Sequence, residues 1–469
     1  MTKSIPHRDL ILRNSLAASL AGLLLILPLR LPAQEISTHN PDLPRHPLTL
    51  QECIAIALGE SPKLKASRFD LLAAGEEIRA AQAALWPNLK GSATGEAFSG
   101  EHTSKFRIVS TTSPSGGAVS ANSQVDLAGV GIGGLKLDYP VFKDGSIFGF
   151  NDAPAVELKR AKKNALAWTA HLTREEVVYR VTEDFISTVS AQNRVEPIDR
   201  RVALQQRSVD ITREEQQKGL LLPIDLKVAT EQLNGARSLS KVIHEQAVAG
   251  SLGLTQLLGL PSSSHIRLNS TLPEPSAPPD AAQLFNTMLA QHPSLQVQRA
   301  KIEEAKQDYR LERFRLYPDV ALTGRALYIT DFQKDAHILV GGITVNIPIW
   351  DWGTQLDTMR ARRDTYSAEH ARLGAVANDL TSELVRIYQE IFSLSERILT
   401  LQGEIGKLDR DLRVAASQQQ QGITPPLTTI DTELQLVGKR DELEIVQARR
   451  LLLYAKLQEA MGGTWKWLP

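Results

Sequence analysis

At 469 residues, with 53 Lys and Arg balanced by 53 Asp and Glu, the chain has room for several domains yet carries no net charge. The cations are dispersed, so the electrostatic footprint of a nucleic-acid binder is missing and nucleic acid is excluded as a partner. Aromatic residues make up only 5%, which fits an elongated helix-rich protein better than one built on a large globular core.

Lys3, Arg8 and Arg13 precede an uncharged apolar run over residues 16–29, followed by Leu31-Pro32-Ala33. This is the pattern of a secretory signal peptide over residues 1–33, and the run is shorter than the ~20 residues of a spanning helix. Gln34 stands where a lipoprotein would need Cys. The one cysteine, Cys53, falls on the apolar side of a helical stretch and reads as packing, so no internal disulfide is available to an exported chain. Residues 34–49, with Pro41, Pro44 and Pro47, read as an extended lead-in.

A helix is expected from Leu50, broken at Ser61-Pro62 and stopped at Trp86-Pro87, because a residue before proline is pushed out of the helical region. His292-Pro293 and Tyr317-Pro318 bracket a second such helix, each pair 231 residues after its counterpart. After each second proline the side chains alternate. Lys90, Ser92, Thr94 and Glu96 interleave with Leu89, Ala93 and Ala97 in one half, and Leu322, Ala326 and Tyr328 interleave with Thr323 and Arg325 in the other. Both read as half-buried strands. Return strands are expected over 127–141 and 337–349, after a loop that is Ser/Gly-rich in the first half (100–124) and short in the second (around Lys334).

Beyond Ile347-Pro348-Ile349-Trp350-Asp351-Trp352-Gly353 the period changes from two to seven. Leu373, Leu380, Ile387, Leu394, Leu401 and Leu408 form one series, and Ala377, Leu384, Ile391, Ile398, Ile405 and Leu412 a second, the a/d seam of a coiled coil. Tyr139-Pro140-Val141-Phe142-Lys143-Asp144-Gly145 repeats the Pro-to-Gly spacing. Pro140, Gly145, Pro348 and Gly353 are thus the candidate strand-to-helix transition, with proline ending a strand and glycine turning the backbone. Long helices are expected over 155–218, kinked at Pro197, and over 354–421, each about 100 Å long. They end at Gly219 and Gly422, and Pro223 and Pro426 open returning helices. The expected organisation is two repeats, 50–259 and 281–462, around a Pro/Ser-rich connector (260–280), with a short tail over 463–469.

Four strands with one apolar face cannot close a barrel in a bilayer, where bacterial barrels start at about eight strands and an open edge leaves backbone groups unsatisfied. The barrel has to be shared between chains. Two chains would supply eight strands and three would supply twelve, and helices flanking an open lumen favour the wider ring. The ordered set of Leu48–Leu58, Ser61-Pro62-x-Leu64, Ala80 to Pro87, Tyr139 to Gly145, Gly219 to Asp225 and Leu257 to Gly259, with second copies, resembles the TolC-like outer-membrane efflux protein family over nearly the whole mature chain. The resemblance implies a mainly α protein with a membrane β-barrel portion. It would be a homotrimer whose twelve-stranded barrel, four strands per chain, sits among outer-membrane lipids and continues as a helical periplasmic tunnel. Such a duct would serve a tripartite pump or type I secretion system with a periplasmic adaptor and an inner-membrane transporter.

The resemblance also marks residues. Gly219-Leu220 and Gly422-Ile423 match the tip that meets the adaptor, and Asp225 and Asp431 match lumen-facing carboxylates that three-fold symmetry would turn into gate rings. Thr428, Thr424 and Gln419 depart from the family, replacing an acidic, a basic and an aromatic residue. Asp225 has a second reading as a helix-start residue favoured by the macrodipole. Gly129-Val130-Gly131-Ile132-Gly133-Gly134 satisfies a dinucleotide pattern, but a strand follows where a helix would be required. The ten histidines show no metal-binding pair, and no nucleophile, base and acid cluster, so neither enzyme, cofactor nor metal is expected. The alternative function is a periplasmic coiled-coil scaffold or adaptor without a barrel.

Overall fold

A computed structural model describes residues 46–97, 129–149, 153–261, 266–276, 278–330 and 335–468. The signal-peptide reading, the 100–124 loop and the tip of the second hairpin fall outside the described residues. All the elements belong to one unit, Pro44–Pro469. In chain order they are α1 (Leu50–Glu60), α2 (Pro62–Ala83), β1 (Asn88–Ala97), β2 (Gly129–Lys143), β3 (Ser146–Ile147), α3 (Pro154–Gln217) and α4 (Pro223–Leu257), then α5 (Ala281–Gln291), α6 (Pro293–Phe314), β4 (Asp319–Thr330), β5 (Asp335–Asn346), α7 (Thr354–Gln420) and α8 (Pro426–Ala460). The helices α1 and α5 have 11 residues each, α2 and α6 have 22, and α4 and α8 have 35. Equal lengths recurring in the same order, 231 residues on for the first two pairs and 203 for the third, are what two copies of one unit give.

The sheet is antiparallel throughout, in the order β1-β2-β4-β5, with β3 folding back on β2. Registers across the sheet put Leu89 opposite Leu137, Leu137 opposite Gly324, Leu135 opposite Ala326, Ala326 opposite Leu339, and Leu322 opposite Ile343. Because side chains alternate, these residues share one face. They lie bare, with Leu339 86% and Ile343 69% exposed. The other face carries Lys90, Ser92, Lys136, Asp138, Thr323, Arg325 and Thr344. Among the described residues nothing pairs with the outer edges of β1 and β5.

Two strand ends differ from the sequence expectation. Pro140 does not end β2, which runs on to Lys143. A bulge between Pro140 and Phe142 absorbs the missing proline donor within the ladder against β4. β5 stops at Asn346, so Ile347 to Trp350 lie past the strand expected to reach 349. The long helix α3 passes through Pro197 without a break in its helical assignment.

The central helix is α3, which packs on α1, α2, α4, α6 and α8. Val181, Phe185, Ile186, Val189 and Ile198 are fully or almost fully buried along it. It is tied to α8 by a two-point Arg194–Asp441 pair, Nε to Oδ1 at 2.5 Å and Nη2 to Oδ2 at 3.2 Å, and by Arg200–Glu433. The heptad seam of α7 behaves as its sequence period requires, with Leu384, Ile387, Ile391, Ile398 and Leu401 buried. Cys53 is buried, and burial pushes its thiol up to about 12, which fits packing rather than chemistry.

The short segments between the halves are stitched together. The lead-in pairs with the connector through Leu48 N–H to Arg267 O (2.7 Å) and Asn269 N–H to Leu48 O (2.9 Å). Ser276 N–H reaches Trp467 O at 3.1 Å, and Trp467 itself is 1% exposed.

His292 joins α5 to α6 and is buried. Its Nδ1 accepts from Ser294 N–H at 3.0 Å, so the ring proton sits on Nε2, which donates to Ala460 O at 2.8 Å. Burial lowers its pKa, against the opposing pull of the Ala460 bond and of Glu383. Glu175, Glu176, Glu459 and Lys456 line the same cleft. The folded ring stays neutral where the unfolded chain would take up a proton, so the unfolded state binds more protons in that window and stability falls as pH drops below about 6.5. Unfolding curves should show lower stability at pH 5 than at pH 7 from this group. His292→Asn, which keeps an acceptor over Ser294 N–H, should flatten that pH dependence.

Candidate functional site

The residues singled out from the sequence collect at two ends of the helices. At the sheet end, Asp144 (φ 50°) and Gly145 (φ 83°) are consecutive left-handed residues, and so are Trp352 (φ 57°) and Gly353 (φ 86°). The motifs that match in sequence therefore make the same backbone turn. The two turns lead into different structures. In the first half the turn closes a hairpin, with Lys143 pairing Ser146 and Phe142 pairing Ile147, before α3 starts at Pro154. In the second, α7 starts at once, with Asp351 accepting from Gly353 N–H (3.0 Å) and Gln355 N–H (2.8 Å). Gly145 is doubly constrained, because a Cβ there would also lie 2.6 Å from the Phe314 ring.

Around this end stand aromatic residues that the sequence marks only as helix stops or motif members. Trp350 and Trp352 are 76% and 87% exposed and meet edge to face at 5.6 Å, and Trp86 and Tyr317 are also bare at the feet of β1 and β4. Exposed Trp and Tyr flanking an apolar strand band are the signature of a membrane–water interface. For Trp86 and Tyr317 the readable signal was position, one residue before each strand-opening proline.

At the far end, both tips are built alike. Gly219 N–H bonds Gln216 O (3.0 Å) and Leu220 N–H bonds Glu215 O (2.9 Å), while Gly422 N–H and Ile423 N–H bond Gln419 O and Gln418 O, both at 2.9 Å. These are Schellman C-caps with glycine left-handed at φ 76° and 77°. Leu220 and Ile423 next to them are 71% and 68% exposed. The cap geometry thus holds two apolar side chains out at the tips.

Asp225 and Asp431 line one cleft of about 690 Å³ between the α3/α4 and α7/α8 hairpins, with Arg201, Gln205 and Lys439. Asp225 Oδ2 accepts from Leu222 N–H at 2.8 Å, so it closes the first turn of α4, as the helix-start reading expected. Asp431 accepts from the Gln435 side chain, at 3.0 Å. Among the described residues neither carboxylate has an ion pair. Thr424 Oγ1 donates to Gln418 Oε1 (3.0 Å), a neutral contact at the second tip.

The sequence model described as outer membrane efflux protein matches residues 284–463. The match runs from within α5 to just past the end of α8. Over most of its length the chain also has the fold of solved channels. It is 17% identical to the outer membrane protein VceC of Vibrio cholerae, covering 88% of this chain and 96% of that one with a TM-score of 0.67. The Campylobacter jejuni CmeC outer membrane channel matches with 13% identity, 89% and 86% coverage and a TM-score of 0.70. The Neisseria gonorrhoeae MtrE outer membrane channel, solved in an open state, matches with 15% identity, 89% coverage of both chains and a TM-score of 0.68. No curated protein sequence matches the chain.

Gly145 and Gly219 separate two costs. Gly219 has nothing within 4 Å of a built Cβ, so Gly219→Ala meets only the left-handed φ, about 1 kcal/mol. Gly145→Ala adds the collision with Phe314 and should cost about 2–4 kcal/mol. Thermal unfolding of the two purified variants checks the order.

Proposed function

We propose that the chain is an outer-membrane exit duct of a tripartite efflux pump or type I secretion system, working as a homotrimer. The observation that carries this is the sheet: four long strands with one bare apolar face and two unpaired edges, in a chain of efflux-channel fold. In lipid such edges have to be paired, and β5 of one copy meeting β1 of the next is the arrangement that pairs both at once. A second feature supports association. Val385, Phe392 and Leu399 recur every seven residues on α7 outside its buried seam, at 37%, 65% and 62% exposure. A stripe of this kind fits a helix of a neighbouring copy. Three copies give twelve strands, wide enough to leave a lumen.

In this reading the polar sheet face lines the lumen and the Trp350, Trp352, Trp86 and Tyr317 belt sits at the periplasmic lipid surface. Pro140, Gly145, Pro348 and Gly353 then lie at the transition from barrel to tunnel. The exposed Leu220 and Ile423, held by Gly219 and Gly422, are the surface for a periplasmic adaptor, which joins the duct to its inner-membrane transporter. Asp225 and Asp431 border the periplasmic opening. With Thr424, Thr428 and Gln419 in place of charged and aromatic residues, that opening has weaker ties.

Cell fractionation and native mass in detergent test the core of this. A trimer in the outer membrane that resists urea extraction is expected, and a soluble periplasmic monomer or dimer would favour a scaffold instead. For the gate, purified trimers in planar bilayers are the assay. Asp225→Asn combined with Asp431→Asn should lower cation preference and weaken block by multivalent cations, because carboxylate rings focus cations in a narrow pore. Unchanged selectivity would remove these two residues from the opening.

A further inference from the structure

The polar sheet face holds a charge arrangement that strand pairing alone would avoid. Lys90 on β1 is directly opposite Lys136 on β2, and Lys136 is directly opposite Arg325 on β4. Like charges in cross-strand register are destabilising, so three in one row is a cost to folding. The row is completed on β5 by Val340. One carboxylate answers it: Asp138, one step toward the helices, pairs with Lys136 at 2.8 Å. Lys90 and Arg325 have no ion pair among the described residues. Asp319, on the same face, lies at the foot of β4, six residues from Arg325 and about 20 Å along the strand. Three cations against one near carboxylate leave two positive charges per chain at this level, and six around a trimer.

The rows farther from the helices change character. Gly134, Leu327 and Ile338 share the next row with Ser92, and Ile132, Ile329 and Ala336 share the one after with Thr94. Ile132 and Ile338 are about two-fifths exposed, so apolar surface is open on the same face immediately beyond the cations.

We propose that Lys90, Lys136 and Arg325 form an anion-selecting collar inside the barrel, and that it takes the acid group of amphipathic organic anions whose apolar bodies rest on Leu327, Ile329 and Ile338. This rests on the channel reading above, since it is the closed trimer that turns the row into a ring. Rings of Lys and Arg are the usual device for anion pores, and a lumen bounded by lipid focuses their field. The collar lies at the opposite end of the duct from Asp225 and Asp431 and is opposite in sign, so the two contributions to selectivity shift in opposite directions when removed.

The test uses full-length trimers in planar bilayers, wild type against the triple variant Lys90→Gln, Lys136→Gln, Arg325→Gln. Under a KCl gradient the chloride-to-potassium permeability ratio should fall at least threefold in the triple variant. Naphthalene-1-sulfonate added on the side away from the helical tips should block the wild type, with the half-blocking concentration rising at least tenfold in the variant. Sulfate should block the wild type less well than the naphthalenesulfonate. Equal block by both would overturn the apolar part of the assignment. A charge-keeping variant, Lys90→Arg, Lys136→Arg, Arg325→Lys, should behave as the wild type, which separates lost charge from a damaged sheet. A triple Gln variant that forms trimers with unchanged permeability ratio and block would overturn the collar while leaving the duct intact. Wild-type trimers that conduct nothing would overturn the duct and the collar with it.

Discussion

The structure depends on a sheet that cannot finish itself. Every strand in the interior of β1-β2-β4-β5 is paired on both sides, but the outer edges of β1 and β5 are bare and the face carrying Leu89, Leu135, Leu322, Leu339 and Ile343 is greasy. In water such a sheet would aggregate, and in lipid its edges would each cost several kcal/mol per unpaired group. In the proposed duct both problems would have the same solution, which is pairing with further copies while the apolar face meets hydrocarbon. No helix among the described residues is long and apolar enough to cross a membrane.

The helices continue from the sheet as two hairpins, α3/α4 after the first strand pair and α7/α8 after the second, with the same glycine geometry at both tips. The two hairpins are held to each other differently from how each is held internally. Within α7/α8 the buried heptad residues are accompanied by more exposed ion pairs such as Lys439–Glu404 and Arg449–Glu390, whereas between α3 and α8 the Arg194–Asp441 pair is largely buried and two-point. Two-point guanidinium–carboxylate pairs are directional, so this contact sets the register of one hairpin against the other more sharply than apolar packing would.

Duplication explains the symmetry of the chain, and its departures are where the two halves do different work. The turn at Asp144-Gly145 and the turn at Trp352-Gly353 share their backbone, yet one makes a small hairpin and the other starts a helix at once. Asp351 makes the difference at the second site, because its carboxylate caps the first turn of α7, while Lys143 occupies the matching place in the first half and can supply no acceptor. The charged row on the polar face is likewise uneven, drawing Lys90 and Lys136 from the first hairpin and Arg325 from the second, with Val340 completing it.

Most of the architecture was legible from the sequence because it rests on local rules. The prolines after Trp86 and Tyr317 mark helix stops, which the structure puts at Ala83 and Phe314, three residues before Trp86 and Tyr317, glycine caps helices at Gly219 and Gly422, and period two against period seven separates strand from coiled coil. These act within a few residues, so the ends of the long helices were placed to within one or two positions. The fate of Pro140 was not legible in that way. A proline inside a strand is tolerated if the partner strand allows a bulge, and the partner, β4, lies some 180 residues away in the chain. The alternation of Lys90 and Lys136 with apolar neighbours showed which face each would take, but their meeting with Arg325 in one row depended on the register of three strands from two halves of the chain. Register is a tertiary quantity, set by how the whole apolar face lines up, and only the folded sheet decided it.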